Sequence, residues 1–524
     1  MNYIKSLHIE GFKKFISIDV PFNEHMNILV GENEAGKSTI LEAIKIVLNQ
    51  QYRNADKSIL KDLFNNQLVA QFIKSPSIKT LPKIVIEIEL ELDIAQKNSS
   101  YFYGEVFGQR KQQSEKFGIR FECKYDEELG IEPSIMDGKI PYEYYTLTWT
   151  TFANRPYQII KRPLNFLSID TTSTATSPSF NYYNKTLFAS KYDETTRAKA
   201  RNTFRSKLEE ALDSTNLPPI SETRKFGIDS KKVVLESIIS VYEDSVSLEN
   251  RGSGMESLIK TQIALDKTNG IDVITMEEPE NHLCFSSLQK MLHEISTKKN
   301  SSQIIVTTHN NMIASRLNLN NVLWITQNEV KSLSNVTKET ADFFVCASDN
   351  GLLQLLLSKK IILVEGATEH LLVPMFYEQI TGSTIEKDEV TIISCNGIAY
   401  KRYLDIATAT NKKIAVITDN DENEAKIIEA NDFNTTHDFQ HIFMGATKEE
   451  WTWEACIYKE NKTLLDRIIS VKQGSEYEFH GNDYGKVLGK MLNHKVESAY
   501  KMLTSGETFE VPQYVKSAIL WLNE

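Results

Sequence analysis

Residues 28–39, ILVGENEAGKST, decide the fold of the first half of this chain. The apolar run Ile28–Val30 predicts a buried strand, and the stretch from Lys37 to Gln50 predicts a helix with one apolar stripe. Between them, GENEAGKS matches GxxxxGK[ST], a turn whose backbone N–H groups surround phosphates. We expect Lys37 to reach the β and γ phosphates of ATP and Ser38 to bind Mg²⁺. The predicted nucleotide-contacting residues are Gly31, Asn33, Glu34, Ala35, Gly36, Lys37, Ser38 and Thr39.

A second apolar strand, within residues 271–278 (IDVITMEE), ends in two adjacent acids. Beside a phosphate-binding loop, this ending places one acid on Mg²⁺ and the other beside the attacking water. We therefore predict that Glu277 is a metal ligand and that Glu278 is the water-positioning base. The next apolar strand, residues 303–309 (QIIVTTH), presents His309 at its end. A lone histidine is more often structural, but one strand after Glu278 we expect it to be functional.

Residues 251–256, RGSGME, open a helix shortly before the acidic strand. The glycines leave backbone N–H groups free at the positive end of a helix, an arrangement that suits a γ-phosphate. The predicted contacts are Ser253 and Gly254. Taken alone, the pattern is equally compatible with an ordinary helix start.

These motifs resemble those of the ABC-type ATPases of the RecF/SMC class. The opening residues 9–13 (IEGFK) are similar to the first strand of that class, and residues 277–283 (EEPENHL) are similar to its Walker B and D-loop run. The resemblance implies that Gly252 to Glu256 is the signature motif, which closes on the P-loop of a second subunit, although glutamine is usual where Glu256 stands. It also implies that His309 is the switch histidine. The interval between Lys37 and Gly252 leaves no room for the long coiled-coil arms of SMC proteins.

A separate acidic constellation follows in the second half of the chain. The strand Ile361–Val364 ends at Glu365, and Glu369 follows one helical turn later. About fifty residues further on, another apolar strand ends in TDND, which contains Asp419 and Asp421. Carboxylates at the carboxyl ends of strands in an open α/β sheet converge on one site, and such hard oxygen ligands favour Mg²⁺ or Mn²⁺. Each piece alone is compatible with a solvated turn; together they predict a metal site.

This second constellation resembles the Toprim domain of topoisomerases, primases and nucleases. An ABC ATPase followed by Toprim in one chain is similar to the OLD (overcoming lysogenisation defect) family of ATP-dependent nucleases. The resemblance implies a further glutamate ligand, for which Glu454 in WTWE fits, and a C-terminal catalytic lysine. Lys486 is the closest match for that lysine, with Lys490 as its rival.

Composition sets the limits within which this interpretation must lie. The chain has 524 residues, of which 41% are hydrophobic and 25% charged, so it is long enough for two to four globular domains. A net charge of −11 does not exclude nucleic acid, because binding depends on a local basic surface. Five scattered cysteines and the lack of a long apolar segment predict a cytoplasmic protein with no membrane contact.

The expected fold class is α/β, with an ABC-type P-loop ATPase head that carries an antiparallel β subdomain and a helical insertion, followed by a Rossmann-like Toprim domain. The predicted boundaries are an ATPase head over 1–335, an inserted and possibly dimerising helical segment over about 171–235, a linker over 336–357, a Toprim domain over 358–510 and a C-terminal tail over 511–524.

The expected activity is ATP-regulated, metal-dependent cutting of DNA by at least a homodimer. The resemblance adds a phage-defence or prophage-exclusion role and a helicase or other defence subunit as partner. Two alternatives stay open: cutting of RNA such as tRNA, and an SMC-like clamp that binds DNA without cutting it. No motif separates DNA from RNA.

Overall fold

The computed structural model describes residues 1–94, 99–105, 115–130, 132–170, 178–215, 217–229, 234–266, 270–298, 302–326, 329–346, 351–395, 400–471 and 477–524. The chain divides into two compact units. The first comprises Met1–Leu317 with Asn321–Ser332, and the second comprises Asn318–Asn320 with Leu333–Glu524. None of the helices in these ranges is long and apolar enough to cross a membrane.

The first unit contains fourteen strands and eight helices among its described residues. The strands are β1 Tyr3–Phe12, β2 Phe15–Pro21, β3 Met26–Gly31, β4 Ile84–Glu91, β5 Tyr103–Glu105, β6 Glu115–Tyr125, β7 Tyr145–Thr151, β8 Phe166–Asp170, β9 Tyr242–Glu243, β10 Val246–Ser247, β11 Val273–Glu277, β12 Gln303–Thr307, β13 Val322–Ile325 and β14 Val330–Ser332. The helices are α1 Lys37–Asn49, α2 Leu60–Leu63, α3 Asn66–Lys74, α4 Pro178–Lys191, α5 Glu194–Ser214, α6 Ser253–Ala264, α7 Phe285–Lys298 and α8 Asn311–Arg316.

Two sheets organise this unit. The antiparallel sheet has the order β2-β1-β4-β6-β5, with β7 on β6, and its strands follow from period-two alternation such as Ile84, Ile86 and Ile88. The alternation of Glu87 and Glu89 with these residues is typical of a solvent-exposed face, but both glutamates are buried and pair with Arg120 and Lys116, at carboxylate–cation distances of 2.9 and 2.8 Å.

The second sheet has the order β14-β13-β3-β12-β11-β8, and all its pairs except β13–β14 are parallel. Its central strand β3 is buried along its whole length, and α1 packs its apolar stripe, including Ile40, Ile44 and Val47, into the same core as the antiparallel sheet. Because β3, β12 and β11 run in the same direction, their carboxyl ends, and the residues that follow, share one edge.

The expected helical insertion contains α4 and α5, while residues 171–177, 216 and 230–233 of that segment lie outside the described residues.

The second unit contains nine helices and six strands among its described residues. The helices are α9 Lys338–Cys346, α10 Leu352–Leu357, α11 Ala367–Thr381, α12 Lys401–Thr410, α13 Glu424–Thr436, α14 Trp453–Ile468, α15 Lys486–Asn493, α16 Lys495–Thr504 and α17 Gln513–Asn523. The strands are β15 Lys360–Val364, β16 Val390–Ser394, β17 Lys413–Ile417, β18 Gln440–Phe443, β19 Glu478–Phe479 and β20 Asn482–Asp483. The parallel sheet β16-β15-β17-β18 reverses its order between β15 and β17, where open α/β sheets bind ligands.

Two expected boundaries need correction. The predicted linker 336–357 contains α9 and α10, whose buried Phe344, Leu352 and Leu356 belong to the second unit. The predicted tail 511–524 contains α17, which contacts β17 and has Val515, Ile519 and Leu522 fully buried. These three residues recur at i, i+4 and i+7, so the apolar stripe of a core helix was already present in the sequence.

Candidate functional site

The phosphate-binding loop lies between β3 and α1. Gly36 has φ 101° and a Cβ there would fall 2.2 Å from the Phe15 ring, so glycine is needed for both conformation and space. Nζ of Lys37 donates to the carbonyls of Gly31 (2.9 Å) and Glu32 (3.0 Å). Burial lowers the pKa of Lys37, while Glu278 and Glu280 oppose that shift. The ammonium group of Lys37 is therefore bound to the backbone of the same loop that is expected to surround the phosphates of a nucleotide.

The other predicted loop residues differ in exposure. Asn33, Glu34 and Ser38 are exposed and Thr39 is half-buried. Ala35 is buried, and its N–H donates to the carbonyl of Glu32 (3.0 Å) inside the loop.

Glu277, Glu278 and His309 follow neighbouring parallel strands. Glu277 pairs with Thr307 in register, which brings the loops after β11 and β12 to the same edge. Nε2 of His309 lies 3.4 Å from Oε1 of Glu278. Burial lowers the pKa of His309, and the charge of Lys37 adds to that effect against Glu278. The lysine, the glutamate and the histidine of the sequence prediction therefore occupy one electrostatic neighbourhood.

The helix α6 begins at Ser253, with Gly252 as its N-cap. A Cβ on Gly254 would fall 2.3 Å from the carbonyl oxygen of His282, so the start of α6 packs directly on the turn that follows Glu278. Glu256, at the position where glutamine is usual, pairs with the buried Lys260 within the helix, at 2.5 Å.

A cavity of about 540 Å³ lies beside the phosphate-binding loop. Its lining includes Asn33 from the loop, Lys14 from the turn after β1, and Trp324 and Glu329 from β13 and its continuation. No sequence motif marks Lys14, Trp324 or Glu329. The pairing of β13 with β3 brings Trp324 and Glu329 to the loop, and Lys14 reaches it by donating to the carbonyl of Glu34.

In the second unit, the register of β15 and β17 brings Glu365 and Asp419 together. Val364 pairs with Ile417, so the residues that follow both strands leave the sheet at one edge. Oε2 of Glu365 accepts from Oγ1 of Thr418 (3.2 Å) and from the N–H of Asp419 (3.3 Å). Burial raises the pKa of Asp419 to about 7, and the charges of Glu365, Glu454 and Glu369 add to this against the hydrogen bond from Thr452.

Glu454 joins this group through Thr452. The Thr452 hydroxyl lies 2.7 Å from Oδ2 of Asp419 and 3.0 Å from Oε2 of Glu454, and the N–H of Trp453 donates to Oδ1 of Asp419 (2.8 Å). Glu369 is buried and its Oε2 accepts from the N–H of Gly366 (3.0 Å). Burial, with the charge of Glu454 adding to it, raises the pKa of Glu369.

The lysine that contacts Glu454 is Lys495, and not Lys486, the lysine selected from the sequence. Nζ of Lys495 lies 3.0 Å from Oε2 of Glu454. Burial alone would lower the pKa of Lys495, but the charge and hydrogen bond of Glu454 outweigh it and the pKa is raised. Lys486 is exposed at the start of α15, and Nζ of Lys490 donates to the carbonyl of Ser470 (2.8 Å). The glycines around Lys486 therefore did not indicate which lysine contacts Glu454, because that contact depends on the position of α16.

Asp421 differs from the prediction that it converges with Asp419. Its carboxylate pairs with Lys426, and its side chain is 61% exposed, whereas Asp419 is turned toward Thr452 and Trp453. A residue with φ 53° at this position turns the chain away from the strand direction.

A divalent cation fits the donor chemistry of this cluster, although the carboxylates are not arranged around one. Among the described residues, no three acidic, histidine or cysteine side chains form a ready metal site, because protein donors occupy several of the carboxylate oxygens. Oε1 of Glu454 is nevertheless buried without a hydrogen-bond partner. Crowded oxygen-only donors with raised pKa values suit Mg²⁺ or Mn²⁺.

Comparison with protein families matches both halves of the chain. Residues 2–212 match the model of an AAA ATPase domain, and residues 356–421 match the model described as overcoming lysogenization defect protein-like, TOPRIM domain.

Similarity to individual proteins is more local. The chain is 41% identical over 61 residues to the DNA replication and repair protein RecF of Clostridium acetobutylicum, covering 11% of this chain and 17% of that protein. It is 32% identical over 88 residues to RecF of Clostridium kluyveri, covering 17% and 24%. A third match, to urease accessory protein 2 of Cryptococcus neoformans, is 43% identical over 53 residues and covers 10% and 4%. The chain thus spans less than a quarter of the length of each of these relatives.

Two solved structures of head domains are similar at a lower level. The Smc head bound to the C-winged helix domain of ScpA gives a TM-score of 0.35 at 16% identity, covering 64% of this chain and all of that one. The SMC head domain from Thermotoga maritima gives a TM-score of 0.30 at 14% identity, covering 63% of this chain and 98% of that one.

The family matches, the phosphate-binding loop and the strand-end acids identify the chain as an AAA-type ATPase fused to a Toprim domain of the OLD (overcoming lysogenisation defect) family.

Proposed function

We propose that the chain is an ATP-regulated, divalent-metal-dependent endonuclease that cuts or nicks DNA. The observation that carries the proposal is the contact group of Asp419, the buried Glu454 and the half-buried Lys495 beside Glu365, at the reversal point of a parallel sheet. Such a group combines acidic oxygens for metals with a cation for a phosphate, as cleavage of a phosphodiester requires. The matched Toprim domain supports the same chemistry.

In the ATPase unit, Lys37 would exchange its carbonyl partners for the β and γ phosphates of ATP. Ser38 and Glu277 would hold Mg²⁺, and Glu278 would accept a proton from the attacking water. His309, 3.4 Å from Glu278, would orient that glutamate and sense the γ-phosphate. Each role uses a group that lies at the shared edge of β3, β11 and β12.

In the Toprim unit, Glu365, Glu369, Asp419 and Glu454 would hold Mg²⁺ or Mn²⁺, with Asp421 as a further ligand once it is released from Lys426. When bound, the cations supply a reactive water and charge for the leaving oxygen. Lys495 would hold the phosphate in place and offset negative charge that develops on it. Thr452 would fix the relative positions of Asp419 and Glu454, because its hydroxyl lies within hydrogen-bond distance of both carboxylates.

The active assembly would be a homodimer or a higher oligomer. Ser253 and Gly254 start a helix at a site that a second copy's nucleotide would complete, and the local similarity to a DNA replication and repair protein supports DNA as the substrate. ATP binding would then control access of DNA to the Toprim unit and would take no part in the cutting reaction.

Two other activities remain candidates. Toprim chemistry applies equally to RNA, so tRNA is an alternative substrate. A clamp that binds without cutting is disfavoured, because the complete acidic group with Lys495 is more than binding needs. A role in phage defence or prophage exclusion, beside a helicase or another defence subunit, follows from the family alone.

One experiment distinguishes these activities. Purified protein is incubated with supercoiled DNA, linear DNA and tRNA, with Mg²⁺ or Mn²⁺, and with or without ATP, with Asp419→Asn as the control. Metal-dependent nicking of DNA by the wild type alone supports the proposal. If tRNA alone is cut, the substrate is RNA and not DNA. If cleavage is independent of metal, or if no substrate is cut, the proposal is contradicted.

A further inference from the structure

We propose that Glu280 is a positioning residue for ATP hydrolysis, which holds His309 against Glu278 through its hydrogen-bonding geometry and not through its charge. Oε1 of Glu280 accepts from the Thr308 hydroxyl (2.6 Å) and from the backbone N–H of His309 (3.0 Å). One carboxylate oxygen therefore fixes the segment that carries the histidine. The inference rests on the ATPase part of the proposed function.

The segment that carries Glu278 is fixed from the same side. The N–H of Glu278 donates to the carbonyl of Thr307 (3.0 Å), and Nδ2 of Asn281 donates to Oε2 of Glu278 (2.9 Å). Glu280 lies between Glu278 and Asn281 in the same turn, so it spans from the glutamate's own turn to the end of β12. Without it, Glu278 would keep its bonds to Thr307 and Asn281, but the Thr308 hydroxyl and the N–H of His309 would lose the acceptor that ties them to this turn.

The contact also extends to the next helix. Oγ1 of Thr308 accepts from the N–H of Asn310 (2.9 Å), and Oδ1 of Asn310 caps α8 by accepting from the N–H of Met312 (2.9 Å). A change at Glu280 would therefore loosen the whole turn from β12 to α8, with His309 at its centre. A shift of about 1 Å in a reacting group lowers the rate on the order of 10²-fold.

The second oxygen of Glu280 takes no part in these contacts. Oε2 is buried and has no hydrogen-bond partner among the described residues, and burial raises the pKa of this carboxyl group. An unpaired buried charge costs free energy, whereas both donors need only a carbonyl-like acceptor. Glutamine offers that acceptor with the same length and no charge.

Asp272 provides a matched control in the same unit. It stands immediately before β11, at the opposite end from Glu277, and its Oδ2 accepts from the N–H of Asn165 (2.7 Å). Burial raises the pKa of Asp272 as it does for Glu280. Replacing it removes a similar buried contact far from the nucleotide site.

The test compares Glu280→Ala, Glu280→Gln and Asp272→Ala in the full chain. ATP turnover, ATP affinity and melting temperature are measured for each. Glu280→Ala should lower kcat on the order of 10²-fold while the KM and affinity for ATP stay within about threefold. Glu280→Gln should recover kcat to within about threefold of the wild type, and Asp272→Ala should lower the melting temperature but leave kcat unchanged.

Three results would overturn the inference. The first is a kcat of Glu280→Ala within twofold of the wild type, and the second is a Glu280→Gln enzyme as slow as Glu280→Ala, which would show that charge matters. The third is an equal loss of kcat in Asp272→Ala, which would show a merely structural effect. A wild type that hydrolyses no ATP would instead refute the proposed function before this comparison begins.

Discussion

The ammonium group of Lys495 lies 3.0 Å from the carboxylate of Glu454, which is itself linked through Thr452 to Asp419. This chain of contacts connects the start of α16 to the start of α14 and to the carboxyl end of β17. Lys495 therefore contacts the acidic group directly, whereas the sequence motif pointed to Lys486 or Lys490.

Replacing Lys495 by methionine should therefore stop cutting while ATP turnover persists. The side chain keeps its length but loses the charge that offsets the phosphate, so we expect cleavage to fall by about 100-fold or more. Lys486→Met is the matched control and should cut within about threefold of the wild type. A nicking assay checks both, and equal losses in the two variants would contradict the assignment of Lys495.

Lys37→Ala should abolish ATP hydrolysis, because the phosphates lose the charge that the P-loop supplies. Burial already lowers the pKa of Lys37, so the side chain gains most when it meets the negative phosphates. Phosphate release measures the effect, with Lys45→Ala on the same helix as control. Undiminished release in Lys37→Ala would remove the P-loop assignment.

Glu278→Gln should leave ATP bound but uncut, and so trap the closed dimer. The amide cannot accept the proton of the attacking water, yet it retains the hydrogen-bond geometry toward Asn281 and His309. Size-exclusion chromatography with ATP should show a dimer that accumulates in this variant. Absence of such accumulation, with ATP binding intact, would show that Glu278 is not the base.

Divalent metal should raise the thermal stability of the Toprim unit. Asp419, Glu365, Glu369 and Glu454 act on one another, and a close carboxylate pair at an effective dielectric near 20 costs about 4 kcal/mol. Binding of Mg²⁺ or Mn²⁺ to the folded state then stabilises it. Asp419→Asn should raise the metal-free melting temperature and reduce the metal-dependent increase.

Asp421→Asn should behave differently in the same measurement. Asp421 is exposed and pairs with Lys426, so removing its charge relieves little repulsion within the acidic group. Its metal-free melting temperature should stay near that of the wild type. If neither Mg²⁺ nor Mn²⁺ changes the melting temperature of the wild type, the assignment of a metal site is contradicted.

The local motifs were sufficient to predict which residues of the candidate ATPase site lie close together. Lys37, Glu278 and His309 each follow an apolar strand, and parallel pairing brings the ends of such strands together without further information. The same logic predicted that Glu365 and Asp419 meet at one edge. In both units, strand order and direction carried the prediction.

Other features depend on packing that no local pattern encodes. Lys495 reaches Glu454 only because α16 packs on α14 and α11. Glu87 and Glu89 alternate with apolar residues, as on a solvent-exposed face. The neighbouring strand β6 nevertheless supplies Arg120 and Lys116, which pair with them and cover them. Asp421 follows a strand as Asp419 does, but its positive φ turns it to Lys426. By contrast, the helical spacing of Val515, Ile519 and Leu522 is visible in the sequence and is sufficient to predict a core helix.

The most direct test of the account measures phosphate release and DNA cleavage together in Asp419→Ala and Glu365→Ala proteins, with Mn²⁺ and ATP present. The two compact units and their separate acidic groups predict that ATP turnover stays within about twofold of the wild type while cleavage is lost. Circular dichroism should show that both variants are folded. Cleavage that persists in a folded Asp419→Ala protein, or that continues in excess EDTA, would contradict the assignment of cutting to the Toprim unit.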